Sequence, residues 1–207
     1  MNENHIILAI FLILWCIIHS VMIDNKFIKY IEKKIKSNIR YYRIFYNITA
    51  IISLIPVMIF AHLLPKIIYF QWNGYFIILQ VFFILISLVI FVAGSRNYDF
   101  LQFIGIQQII NKSVHKSLSK SGKLNTDGIL NLTRHPWYTA FFILLWAREL
   151  NSTSLLVNII FSIYLVVGTY LEEEKLKIEF GESYVKYQKE VSMLLPIKWI
   201  KSILKDF

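Results

Sequence analysis

The chain alternates between long apolar segments and shorter polar ones. Apolar segments cover residues 5–23, 44–64, 75–93, 136–150 and 153–171. The first has no Asp, Glu, Lys or Arg over nineteen residues, which as a helix would extend about 28 Å, close to the thickness of a bilayer core. The pattern predicts an all-α, polytopic membrane protein with five transmembrane helices. The fourth segment is short, so four crossings and a re-entrant hairpin form the alternative.

Composition makes lipid the natural solvent for these segments. Hydrophobic residues make up 57% of the 207 residues and charged residues 17%, whereas a typical soluble domain has about 45–50% and about 25%. Such a surplus disfavours ordinary soluble enzymes, disordered chains and disulfide scaffolds. The single cysteine, Cys16, excludes an intramolecular disulfide and any zinc site built from cysteines.

The net charge of +9 is concentrated in three polar stretches. Seven Lys and Arg lie between positions 26 and 43, six between 96 and 134 and seven between 175 and 205, but the loop between the second and third segments has only Lys66. Because cytoplasmic loops are enriched in Lys and Arg, we expect the amino terminus outside and the carboxyl terminus in the cytoplasm. The basic residues are placed to contact the bilayer surface rather than nucleic acid.

We expect one membrane domain over residues 1–207. It comprises a three-helix part at 1–93 and a functional part at 94–207, which contains the hairpin 136–171 and a cytoplasmic carboxyl-terminal segment.

A first polar group precedes the hairpin. Pro136 predicts the start of a helix. Proline suits the first helical position because the N–H that it lacks would have no partner there. Arg134 and His135 would then lie beside a helix N-terminus and form an anion-binding corner, while Gly128 permits close approach of the backbone to a ligand. The alternative is that Arg134 reaches lipid phosphates and His135 caps the helix.

A second polar group, the three glutamates at 172–174, follows the last apolar segment. On a helix Glu172 and Leu176 share a face, and Glu173 is rotated from them by about 100°. Adjacent carboxylates can hold an ammonium group or a ribose diol, and an antiparallel hairpin returns them to the membrane face of Arg134. A solvated helix end is the alternative.

Together these groups resemble the isoprenylcysteine carboxyl methyltransferase and phospholipid methyltransferase superfamily. The resemblance covers about 70 residues, from Gly128 through Arg134-His135-Pro136-Trp137-Tyr138 and Glu172-Glu173 to Leu176, Phe180-Gly181, Tyr184 and Tyr187, and closes near Leu195-Pro196. It implies a membrane enzyme that uses S-adenosyl-L-methionine, bound at the cytoplasmic face between the hairpin and the carboxyl-terminal segment. Methyl transfer from a sulfonium requires no metal, and no cluster of His, Cys and Asp in the sequence suggests one. The donor-binding residues that the resemblance implies are Gly128, Arg134, His135, Pro136, Tyr138, Glu172, Glu173 and Leu176.

Two short motifs, at 15–20 and 40–47, are similar to the bacterial group of methanethiol S-methyltransferases and NnrU-type proteins. We expect Arg134, His135 and His19 to be catalytic, although His19 could instead join two helices by a hydrogen bond. The glutamates would hold the donor's ammonium or ribose, and Arg134 its carboxylate. His135 would complete the donor pocket with Tyr138, or orient or deprotonate the acceptor.

The acceptor expected in a bacterial or archaeal cell membrane is a small thiol or a lipophilic molecule, such as an isoprenylcysteine-like carboxylate. Two other functions remain open. One is a non-catalytic, NnrU-like membrane partner or sensor, and the other is an NADPH-dependent membrane reductase of related fold, for which the chain is short.

Overall fold

The computed structural model describes residues 3–111 and 124–204, and for Asn111 the backbone alone. Its helices are α1 (Glu3–Met22), α2 (Asn25–Ile35), α3 (Tyr42–Leu63), α4 (Phe76–Ser95), α5 (Phe100–Ile104), α6 (Ile106–Asn111), α7 (Pro136–Trp146), α8 (Ser152–Phe180), α9 (Glu182–Glu190) and α10 (Ile197–Ile203). Short 3-10 turns occupy Lys36–Tyr41 and Gly128–Asn131. The lysines at 112–123 and Lys205, which contribute to the orientation argument, lie outside the described residues.

Within the described part of the chain, four helical stretches are long and apolar enough to cross a membrane. They are Glu3–Met22, Asn25–Leu63, Phe76–Ser95 and Ser152–Phe180. The prediction of an all-α membrane protein is therefore confirmed, with one addition: β1 (Ile68–Phe70) pairs antiparallel with β2 (Leu150–Asn151). The fourth predicted span contains α7, an apolar helix of 11 residues, which rises only about 16 Å.

Contacts between residues divide the chain into two compact units. The first comprises Met1–Phe70, Phe100–Leu118 and Leu150–Phe161. In it α1 packs on α3, where the Trp15 indole donates to the Ala50 carbonyl and to the Ser53 hydroxyl, both at 3.1 Å. The Asn47 amide donates to the Phe103 carbonyl at 3.2 Å, which holds α5 against α3.

The second unit comprises Gln71–Asp99, Ser119–Glu149 and Ser162–Phe207. In it α7 lies antiparallel to α4. The Trp137 indole donates to the Phe91 carbonyl at 3.1 Å, Ser87 donates to the Ala140 carbonyl at 2.8 Å, and Gln80 donates to the Ala147 carbonyl at 3.0 Å. The short helix thus runs beside α4 along most of a candidate span. The expectation of a single membrane domain stays a prediction.

The carboxyl-terminal segment of this unit is attached to the start of α7 through its backbone. The amide of Arg134 donates to the Ser192 carbonyl at 2.9 Å, and that of His135 to the Met193 carbonyl at 3.2 Å. The same unit contains a hydrophobic cluster of Leu130, Tyr184, Tyr187 and Val191. This attachment brings α8, α9 and the residues before Pro136 to one place.

Candidate functional site

A buried ion pair lies at the centre of the site. Glu173 on α8 is 4% exposed and Arg134, just before α7, is 8% exposed. The arginine Nε and Nη2 atoms lie 2.6 Å and 2.5 Å from Oε1 of Glu173. The same carboxylate contacts His135 Nε2 at 3.3 Å and accepts a hydrogen bond from the Gln188 amide at 2.8 Å. Glu173 is therefore satisfied entirely by groups of the protein.

The guanidinium of Arg134 also holds the end of α9. Its Nη1 donates to the Gln188 carbonyl at 3.1 Å and to the Val191 carbonyl. The guanidinium of Arg134 is therefore bound by acceptors of the protein itself. Its planar group can bind a carboxylate and backbone carbonyls at the same time. Its contact with a ligand carboxylate stays a prediction.

Two tyrosines of α9 enclose the ion pair. The Tyr184 hydroxyl lies 3.5 Å from Oε1 of Glu173, and the Tyr187 hydroxyl donates to the Leu130 carbonyl at 2.6 Å. Burial raises the pKa of Tyr184 above its usual value, and the negative charge of Glu173 raises it further. Burial likewise raises the pKa of Tyr187. Both phenols therefore stay neutral at physiological pH and serve as hydrogen-bond donors.

A second set of polar groups, which we call the Glu172 face, consists of Glu172, Tyr138, Tyr98 and the Nδ1 edge of His135. The Glu172 side chain is 29% exposed, and its Oε2 lies 3.9 Å from His135 Nδ1. Tyr138 donates a hydrogen bond to Glu172. Burial raises the pKa of Tyr98, and the charge of Glu172 raises it further. This face combines one accessible carboxylate with neutral hydroxyl donors.

A cavity of about 670 Å³, which we call the Lys201 cavity, reaches the ion pair but no residue of the Glu172 face. On α8 it is lined by Val166, Tyr170 and Glu173, which share one side of the helix at spacings of four and three residues. Its other lining residues are Arg134, Phe142, Gln188, Ser192, Met193, Leu194, Leu195, Ile197, Lys198 and Lys201. Glu172 and Glu173 thus contribute to different surfaces.

Three further residues predicted to bind the donor, Gly128, Pro136 and Leu176, lie in different structural surroundings. Pro136 begins α7, as the sequence predicts. Gly128 has a φ of +63°, and an added Cβ there would meet no atom within 4 Å, so backbone conformation rather than crowding favours glycine. Leu176 packs against the hydrophobic cluster around Tyr184. Ligand contacts of these three residues stay predictions.

His19 belongs to the first unit. Its ring stacks on Trp15 with centroids 5.0 Å apart and an interplanar angle of 19°, and it meets Tyr46 edge-on at 6.3 Å. The aromatic neighbours fix the orientation of the imidazole between α1 and α3. Its catalytic role stays a prediction.

Two residues of the site were not expected from the sequence. Tyr98 follows α4 as a single tyrosine outside any motif, and Gln188 belongs to a charged helix without a distinguishing pattern. The spacing of Gln188 from Tyr184, one helical turn, is the only sequence signal that places it on the inner side of α9.

The fold and the site define a polytopic helical membrane protein whose polar centre is assembled where its last long helix leaves the apolar region. The family model described as "NnrU protein" matches residues 7–149, more than half of the chain. The chain therefore belongs to the NnrU protein family.

Several curated relatives are named methanethiol S-methyltransferase. The one from Pseudomonas deceptionensis is 34% identical over 46% of this chain and 36% of its own length. A Bradyrhizobium diazoefficiens protein, methanethiol S-methyltransferase 1, is 33% identical over 49% and 35%, and one from Crocosphaera subtropica is 25% identical over 70% and 61%. The chain thus spans about a third of the length of the first relatives. No solved structure matches the chain. The predicted resemblance to the NnrU and methanethiol S-methyltransferase branch is confirmed.

Proposed function

We propose that the protein is a membrane-embedded methyltransferase that uses S-adenosyl-L-methionine and methylates a small thiol or a lipophilic acceptor. The methanethiol S-methyltransferase relatives support methyl transfer. The observation that carries the proposal is the Glu172 face, where a partly exposed carboxylate lies beside a histidine and a tyrosine.

The groups of this face fit most of the donor. S-adenosyl-L-methionine carries a sulfonium, an ammonium, a ribose diol and a carboxylate. The carboxylate of Glu172 suits the first three, as an anion for the two cations or as an acceptor for the diol. The guanidinium of Arg134 binds Glu173 and two carbonyls, so the expected contact with the donor's carboxylate would require it to leave one of these partners. The positive end of the α7 dipole is the remaining group of suitable charge.

His135 has the geometry of an oriented base. Its Nε2 faces the buried carboxylate of Glu173 at 3.3 Å. In the tautomer that carries its hydrogen on Nε2, Nδ1 is the acceptor of the ring. Nδ1 faces Glu172, where the reacting groups would lie. We assign to it the orientation of the acceptor, or removal of the thiol proton as the methyl group is transferred.

Positioning is the main contribution that this reaction requires of the protein. The bound donor supplies an electrophilic methyl group on a sulfonium, which needs alignment with a nucleophile and exclusion of water. The hydrogen bond from Tyr138 orients Glu172. The Arg134–Glu173 pair holds the ring of His135 through the contact of Glu173 with Nε2.

The proposal includes five crossings, with the amino terminus outside and the carboxyl terminus in the cytoplasm. The position of α7 along α4, from Phe91 to Gln80, supports a crossing by the fourth apolar segment despite its length. The excess of Lys and Arg in three of the polar stretches supports the orientation.

An acceptor screen tests the reaction. Membranes that contain the protein are incubated with methyl-labelled S-adenosyl-L-methionine and with methanethiol, larger thiols, a farnesylcysteine analogue or phosphatidylethanolamine in turn. We expect label in a thiol or in the farnesylcysteine analogue, and none in membranes without the protein. Transfer to phosphatidylethanolamine alone would contradict the proposed acceptor class.

A non-catalytic membrane partner is the second candidate. It is favoured by one observation: the NnrU match ends at residue 149 and does not include Glu172. A deletion phenotype in cells distinguishes the two candidates. Glu172→Gln, present at the normal protein level, should fail to complement the deletion if the protein is an enzyme, and should complement it if the protein is a binding partner.

A further inference from the structure

The Lys201 cavity has a charge that does not suit the methyl donor. Its charged lining residues are Arg134, Lys198, Lys201 and Glu173, so cations exceed carboxylates by two. The one carboxylate is already bound to Arg134 at 2.5 Å. A ligand with a sulfonium and an ammonium group would be repelled, whereas an anionic group would be attracted.

The two lysines lie on α10 three residues apart, on the same side of the helix. Lys198 Nζ donates to the carbonyls of Gln188 and Lys189 at 2.7 Å and 2.9 Å. An ammonium has three hydrogens, so one remains for a ligand. The Lys201 side chain is exposed at the edge of the cavity. Together they offer a site for a phosphate.

The rest of the lining is apolar and belongs to membrane segments. Phe142 lies in the apolar segment of α7, and Val166 and Tyr170 lie in that of α8. A cavity of about 670 Å³ with an apolar wall and a cationic edge has the lining that an anionic amphiphile requires.

The helix that carries the lysines has the features of an interfacial helix. None of its residues is buried. Ile197, Trp199 and Ile200 are 52%, 45% and 45% exposed. Exposed tryptophan and lysine beside apolar residues are typical of the membrane–water interface. The cationic edge would then lie at the depth of lipid headgroups.

We propose that the Lys201 cavity binds one anionic phospholipid, with the phosphate at the two lysines and an acyl chain along the apolar wall. The site is separate from the Glu172 face. It does not depend on the proposed methyl transfer, because its ligand is recognised without any reaction.

Lipid retention tests this site. The full chain is reconstituted in phosphatidylcholine nanodiscs that contain a minor fraction of phosphatidylglycerol, extracted into detergent and analysed by native mass spectrometry. We expect one phosphatidylglycerol to be retained in preference to phosphatidylcholine. Lys201→Gln should weaken this binding about fivefold, since one lysine near an anionic lipid contributes about 1 kcal/mol.

Two further variants separate charge from shape. Lys186→Gln, on the exposed side of α9 and outside the cavity, should leave retention unchanged. Val166→Trp should remove the bound lipid by filling the apolar wall, without a change of charge. Equal retention of both lipids, or unchanged retention in Lys201→Gln, would overturn the proposal. So would displacement of the lipid by glycerol phosphate, which would indicate a free-phosphate site, or by S-adenosyl-L-methionine, which would assign the cavity to the donor.

Discussion

Glu172 and Glu173 are neighbours on α8, yet their side chains have different surroundings. The Glu173 side chain is 6% exposed and is bound by Arg134, His135 and Gln188. The Glu172 side chain is 29% exposed, and its hydrogen bond comes from Tyr138. The rotation of about 100° between consecutive helical residues separates them. Glu173 is thus paired inside the protein, whereas the Glu172 carboxylate is partly exposed. Binding of the donor by either residue stays a prediction.

Loss of the buried partner should produce the largest effect. Arg134→Ala leaves Glu173 buried without its cation and removes the contacts to α9, so we expect a loss of about 3–5 kcal/mol in the free energy of unfolding. Thermal unfolding in detergent measures it. The double variant Arg134→Leu, Glu173→Leu should lose less than Arg134→Ala alone, because it leaves no buried charge. A fully stable Arg134→Ala protein would show that the ion pair does not hold the segment.

Glu172→Gln should lower activity and leave stability unchanged. Charge-assisted hydrogen bonds contribute about 1.5–3 kcal/mol, so we expect kcat/KM for the donor to fall about ten- to a hundredfold. The unfolding temperature should not change, because the side chain is partly exposed. A strongly lowered unfolding temperature would mean that Glu172, like Glu173, is structural.

The contact of α4 with α7 positions Tyr98 and Tyr138 for the Glu172 face. A Cβ added at Gly94 would lie 2.8 Å from Trp137 Cδ1 and 3.1 Å from Pro136 Cγ. Gly94→Ala should therefore cost about 1–3 kcal/mol through overpacking, visible as a lower unfolding temperature. Gly168→Ala is the matched control, since its nearest contact would be Tyr138 Cε1 at an ordinary 3.8 Å. Equal effects of the two variants would contradict this account of the packing.

The smallest expected effect concerns the Tyr98 hydroxyl. A neutral hydrogen bond from this hydroxyl to the bound donor would contribute about 0.5–1.5 kcal/mol, so Tyr98→Phe should weaken donor binding about two- to tenfold. Tyr75→Phe, at a position that is 92% exposed, is the control. Titration calorimetry compares them, and the same affinity in both would remove Tyr98 from the site.

The long helices could be predicted from the sequence because uninterrupted apolar segments allow few other structures. The start of α7 followed from Pro136, whose ring suits the first helical position. The proximity of Glu173 to Arg134 also followed, since an antiparallel hairpin returns the end of α8 to the level of the start of α7.

Other features depend on rotation and packing, which the sequence does not specify. Helical periodicity separates Glu172 from Glu173 by an angle but does not say which faces inward. Arginine and glutamate serve equally well as ligand groups or as partners of each other, so their pairing could not be predicted. Tyr98 joins the site only through the folding of the chain after α4, and α7 ends at Trp146 although the apolar segment continues to residue 150.

Calorimetric titration of the purified protein with S-adenosyl-L-methionine tests the central claim most directly. We expect saturable binding at one site, weakened in Glu172→Gln and retained in Glu174→Gln, whose side chain is 67% exposed and paired with Lys177 at 2.7 Å. Absence of binding by the folded protein, or equal affinity in all three proteins, would contradict the claim.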